Sequence, residues 1–172
     1  MSDAGKTITA RDLVKTDFRT IGSDRPLWEA MELLVDYGDK QTPAPLVVVH
    51  GDGSFAGLLT PVALFKALLR KVRPEEMPTG PEADLYEAMS GQLELPVAEA
   101  MVREVPRAYP DDRLTALMKI NTEHRLEYSP VLENDAVIGI IYVTDIFHAA
   151  ASLALTHETE GIELPTDDDI GH

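Results

Sequence analysis

The sequence predicts an α+β protein built from one unit used twice. Phe55-Ala56-Gly57-Leu58-Leu59-Thr60-Pro61 returns as Val137-Ile138-Gly139-Ile140-Ile141-Tyr142-Val143, each an apolar strand with an internal glycine that runs into a helix. Each copy follows a shorter apolar run and a polar turn and lies downstream of a helical pattern, so the repeat is roughly sixty residues long. The order expected in each copy is short helix, strand, helix, strand, strand, helix.

In the first copy Thr9 caps a short helix reaching Val14, and Arg19-Thr20-Ile21 forms a brief strand. Ser23 or Asp24 is expected to cap the next helix, with Pro26 in its first turn. Leu27, Ala30, Met31, Leu34 and Val35 recur at helical spacing, so that helix ends near Tyr37 with Gly38 as its stop. Leu46 to Val49 reads as a buried strand, and Gly51-Asp52-Gly53 as a hairpin turn into Ser54 to Leu59. Thr60-Pro61 opens a helix to about Lys71. The second copy repeats this with a short helix over Val97 to Met101, a strand near Arg107 to Tyr109, and a helix from Asp111 or Asp112 carrying Leu114, Leu117 and Met118. A strand at Pro130 to Leu132, the turn Glu133-Asn134-Asp135, a strand at Ala136 to Tyr142 and a helix from Thr144 to about Leu155 complete it. The domain boundaries expected are residues 1–73 for the first repeat, 74–95 for an acidic linker with a short helix around Asp84 to Met89, 96–155 for the second repeat, and 156–172 for a flexible acidic tail or loose strap.

Composition narrows the function classes. The 172 residues are 44% hydrophobic and include no cysteine, which removes disulfides, thiolate metal sites and thiol nucleophiles. Ala136 to Leu155 is long and apolar enough to suggest a membrane span, but Asp145 and His148 would lie near its middle and its first half is β-branched, so no membrane insertion is expected. Met1 to Lys6 does not resemble a secretory signal, and a cytoplasmic address is expected. The net charge of −15 is concentrated in two segments without a base: residues 74–99 with seven acids and residues 156–172 with six. The repeats themselves are close to neutral. DNA and RNA are poor partners for such a field, while a small anion in a local cleft is compatible with it. No Walker loop, dinucleotide glycine fingerprint or nucleophile elbow is present, so no catalytic residue is assigned. Asp145 with His148, and Asp167 to Asp169 with His172, lack the two-histidine spacing of a zinc helix, and no metal site is assigned.

The duplicated unit resembles the cystathionine-β-synthase (CBS) domain, which occurs as a tandem pair. The resemblance rests on Thr9-Ala10-Arg11-Asp12-Leu13-Val14 and Val97-Ala98-Glu99-Ala100-Met101 as leading helices, Pro110-Asp111-Asp112-Arg113-Leu114 before a helix, Ser129-Pro130-Val131-Leu132 before the hairpin, and the two glycine-centred segments. It spans about Thr7 to Leu155. It implies two repeats packed about a pseudo-twofold axis, with two clefts for adenosine-containing ligands such as AMP, ADP, ATP or S-adenosylmethionine.

The family's ligand motif is glycine, two apolar residues, Ser or Thr, two more residues, then Asp. The hydroxyl and helix start suit phosphate oxygens, and the carboxylate suits ribose hydroxyls. The first copy has Gly57 and Thr60 but Ala63 at the Asp position. The second has Gly139 and Asp145 but Tyr142 at the hydroxyl position. Thr20 and Arg107 stand where the family often places a threonine near the phosphates, and the Arg107 guanidinium suits phosphate in place of the missing hydroxyl. Each residue also has a purely structural reading: Thr60-Pro61 as an N-cap pair, Asp145 as a dipole partner, Arg107 as a solvated strand residue, Tyr142 as packing. The expectation is a regulatory module without an obligatory cofactor that senses an adenine nucleotide in at least the second cleft, forms a homodimer and signals to an effector protein. The competing expectation is a ligand-free interaction module acting through dimer faces or the acidic tail.

Overall fold

A computed structural model describes residues 7–36 and 44–161, the side chains of 157–161 excepted. In chain order the elements are α1 (Ala10–Leu13), β1 (Thr20–Gly22), α2 (Leu27–Val35), β2 (Leu46–Val49), β3 (Phe55–Leu59), α3 (Pro61–Leu68), α4 (Glu82–Ser90), α5 (Leu114–Glu123), β4 (Tyr128–Glu133), β5 (Ala136–Tyr142) and α6 (Val143–Gly161), with 3₁₀ turns at Pro74–Glu76 and Val97–Glu99. β1 pairs parallel with β2, and β2 antiparallel with β3; β4 and β5 form a separate antiparallel hairpin. Alternating burial is absent because the strands are covered on both faces: β3 is buried at every position. The β4–β5 turn needs two left-handed residues, which Asn134 (φ 54°) and Asp135 (φ 65°) supply. In the β2–β3 turn, Asp52 accepts from the Ser54 N–H and hydroxyl (3.0 and 2.6 Å), which holds its carboxyl below the ordinary value.

The leading segments are exchanged between the repeats. Ala10 is buried with Ala108, Leu117, Val131 and Ile141, all from the second repeat. Val97 and Met101 are buried with Leu27, Leu46, Leu59 and Leu64, all from the first. Backbone bonds tie each exchange at equivalent places. Lys15 and Ile140 exchange N–H to O bonds of 2.8 and 2.9 Å, and Val102 and Leu58 exchange bonds of 2.7 and 3.0 Å. A third apolar cluster of Val47, Phe55, Leu58, Val105, Leu132 and Ile140 lies between the sheets, and Phe55 N–H donates to Asp135 O across the gap (2.9 Å). These equivalences define the pseudo-twofold pair.

Several expected local features differ. Ser23 and Asp24 do not cap α2. Its cap is Pro26, and the first amides of the helix, Leu27 and Trp28, donate to Leu95 and Leu93 carbonyls at 2.9 and 3.1 Å. Likewise α5 starts at Leu114 rather than at Asp111 or Asp112; Leu114 N–H donates to Ile8 O, and Asp112 accepts from Tyr109 N–H instead. Backbone from a distant segment has taken the role expected of a local side chain. The strand at Arg107 to Tyr109 reduces to a single parallel bridge, Ala108 to Val131, because Pro106 and Pro110 flank it and lack donors. Helix α3 stops at Leu68, short of Lys71, where the last turn tightens. The Val97 helix is one 3₁₀ turn. The α6 backbone runs on to Gly161, where a loose tail is expected from Thr156; Tyr37, Gly38 and residues 162–172 lie outside the described residues.

Candidate functional site

The start of α3 is built by Thr60-Pro61. Thr60 has extended backbone (φ −101°, ψ 161°), and its Oγ accepts from the Ala63 N–H at 3.1 Å. Proline at the first helical position sacrifices no hydrogen bond there. Because the Thr60 oxygen is the acceptor in the cap, its hydroxyl proton remains able to donate to a ligand. Thr60→Ala is expected to cost about 1 kcal/mol by loss of the cap, read as a lowered urea midpoint with an unchanged slope.

Thr60 and Ala63 line a depression of about 910 Å³ with Lys66 of α3, Arg70 just past its end, residues between Glu99 and Glu104 at and after the 3₁₀ turn, and Arg125 to Tyr128 at the entry to β4. Its walls come from both repeats. Arg70 is tied to Glu99, at 3.4 Å from the carboxylate and 3.2 Å from the backbone carbonyl. The lining carries Lys66, Arg70 and Arg125 together with Glu99, Glu104 and Glu127, so the rim is of mixed sign rather than a basic funnel.

The equivalent place in the second repeat is smaller. Asp145, in the first turn of α6, lines a depression of about 280 Å³ with Asp12, Lys15 and His148. Tyr142 does not line it. Its ring meets Tyr128 edge-on, with centroids 5.6 Å apart and planes at 87°, and so braces a wall residue of the larger depression. Thr20 is exposed in β1 beside Val47. Arg107 is exposed with its guanidinium carbon 5.0 Å from the Phe55 ring centroid, and neither Thr20 nor Arg107 lines either depression.

Gly57 and Gly139 serve the packing. A Cβ at Gly57 would lie 2.7 Å from Val102 O; one at Gly139 would overlap Val14 Cγ2 and lie 2.6 Å from Lys15 O. Both glycines admit the leading segment exchanged from the other repeat.

Sequence reasoning passed over Lys66 and the Arg125 to Tyr128 segment. The available signal was Arg125 and Glu127 alternating with Leu126 and Tyr128 just before an apolar strand. Among the described residues no group of three or more metal-ligating side chains forms a metal site, and no helix is long and apolar enough to cross a membrane.

Two copies of one helix, strand, helix, hairpin and helix unit, with leading segments exchanged and a depression walled by both copies, define a paired-repeat α+β module. The chain belongs to the CBS domain family, which matches it over residues 10–70 and 97–152. Among solved structures it is similar to the CBS-domain containing protein ATU1752 from Agrobacterium tumefaciens, with a TM-score of 0.63 and 25% identity over 87% of this chain and 98% of that one. A CBS domain-containing protein of unknown function from Kribbella flavida has the same fold (TM-score 0.62, 21% identity, 84% of this chain and 99% of that one). So does the CBS domain pair of MJ0100, crystallised with 5′-methylthioadenosine and S-adenosyl-L-methionine (TM-score 0.61, 19% identity, 86% and 98%). No curated protein matches the chain.

Proposed function

We propose that the chain is a regulatory CBS pair that binds an adenosine-containing ligand of the AMP, ADP or ATP type and signals occupancy to an effector protein as a homodimer. The observation that supports this best is the composition of the larger depression, whose walls come from α3 of the first repeat and from Glu99 to Glu104 and Arg125 to Tyr128 of the second. A ligand touching both repeats stabilises one relative packing over others, which is how occupancy becomes a signal. The volume of about 910 Å³ is that of a small-molecule site. The sequence favours the Asp145 cleft for its carboxylate; the volume favours the Thr60 depression, and the proposal follows the volume. The ligand-bound pair of MJ0100 shares the fold, which supports an adenosine ligand as the first class to test.

The test is thermal denaturation with AMP, ADP, ATP, NAD and S-adenosylmethionine in turn. A ligand at a hundred times its dissociation constant raises stability by about 2.7 kcal/mol, and Thr60→Ala weakens that gain while Asp145→Ala leaves it. The opposite pattern would move the ligand to the second cleft, and no shift with any of the five would leave the interaction module as the function.

A further inference from the structure

We infer that the Thr60 depression selects its ligand by charge: it prefers an adenosine with one phosphate over the di- and triphosphate, and Glu99, Glu104 and Glu127 are the residues that decide. The inference rests on the proposal of an adenosine ligand and narrows it. What the depression still has to offer a phosphate is small.

The start of α3 supplies few donors. Pro61 has no N–H, the Ala63 N–H donates to Thr60 Oγ at 3.1 Å, and the Leu64 N–H donates to Thr60 O at 3.0 Å. Among the described residues this leaves the Val62 N–H as the one amide of that turn without a partner. Helix starts that hold phosphates do so with backbone N–H groups acting together. Here a single amide and the Thr60 hydroxyl proton remain, a set that suits one phosphate group.

The cations are limited in the same way. Lys66, Arg70 and Arg125 line the depression against Glu99, Glu104 and Glu127. Arg70 is already engaged, with its Nη2 at 3.4 Å from the Glu99 carboxylate and 3.2 Å from the Glu99 carbonyl oxygen. Glu99 is held in place, because it ends the 3₁₀ turn whose Val97 is buried in the core of the first repeat. An entering phosphate therefore finds Lys66 and Arg125, neither of which forms an ion pair among the described residues. Two cations match the charge of one phosphate monoester, about −1.5 to −2 at neutral pH. Each further phosphate brings negative charge into a lining that has no unpaired cation left and still holds Glu104 and Glu127. Like charges brought together at a binding surface weaken binding, and the net charge of −15 adds a repulsion of the same sign. All six charged side chains belong to exposed residues, so salt screens the effect and holds the discrimination to about tenfold.

Titration calorimetry of the full chain with AMP, ADP and ATP tests this, at one ionic strength and without divalent cations so that every phosphate keeps its charge. AMP is expected to bind about tenfold more tightly than ATP, with ADP between them. In a chain carrying Glu99→Gln, Glu104→Gln and Glu127→Gln together, the preference for AMP over ATP is expected to fall to about twofold. Amides at three exposed positions leave the fold intact. ATP bound as tightly as AMP by the native chain, or a native preference that the three substitutions leave in place, overturns the inference while the adenosine ligand stands. Failure of all three nucleotides to bind overturns both.

Discussion

Gly139→Ala is expected to destabilise the protein by about 3 kcal/mol, at the upper end of the cost of overpacking a closed core. The added methyl would overlap Val14 Cγ2 and approach Lys15 O to 2.6 Å. Relief by rotamer change is restricted, because Val14 is β-branched and the Lys15 carbonyl is fixed by its bond to the Ile140 N–H at 2.9 Å. The leading segment of the first repeat must then move off the second sheet, opening the cluster that contains Ala10, Leu117 and Ile141. Gly57→Ala is expected to cost less, about 2 kcal/mol: two of its three close neighbours are atoms of the flexible Met101 side chain at 3.1 Å, and only Val102 O, at 2.7 Å, is backbone. Urea denaturation of both variants without ligand measures this. A loss under about 0.5 kcal/mol in both, the level of an ordinary surface substitution, would mean that these glycines do not serve the exchange.

The glycines also show what a linear reading reaches. Their recurrence was visible in the sequence, as were the strands Leu46–Val49 and Ala136–Tyr142, because an apolar run ending at a turn is a local signal. The reason for the glycines was not. The atoms that forbid a side chain at Gly139 belong to Val14 and Lys15, over a hundred residues away, and nothing local announces a close approach of that kind. The same physics displaced the expected caps: Ser23, Asp24 and Asp111 have the right chemistry for a helix start, but the carbonyls of Leu93, Leu95 and Ile8 reach the helix amides first. Thr60 was legible because cap and helix are neighbours in sequence. Arg125 and Glu127 were not, since they reach the Thr60 depression only when one repeat folds against the other.

Ala63→Asp is expected to tighten binding of an adenosine ligand about tenfold to a hundredfold, the range of a hydrogen bond to a charged group. The substitution restores the carboxylate that the family motif places three residues after the hydroxyl, at a position that already lines the depression. The helix start suits an acid, although Ala63 is only 8% exposed and belongs to the first repeat's apolar cluster, so the carboxylate must turn toward the depression. Residue 63 is the third of α3, where an acid favours the helix dipole, and Thr-x-x-Asp is the spacing of a capping box. The chain already uses that spacing in α1, where Thr9 N–H donates to Asp12 Oδ2 at 2.9 Å. This precedent creates a competition, because a carboxylate that reaches back to the Thr60 N–H stiffens α3 without touching a ligand. Binding of AMP and of its 2′,3′-dideoxy analogue separates the two results. If the carboxylate meets the ribose, Ala63→Asp tightens AMP alone. If it serves only the cap, the unliganded protein gains stability and both nucleotides bind as before, which would place the ribose elsewhere and remove the basis for setting an adenosine ligand in this depression.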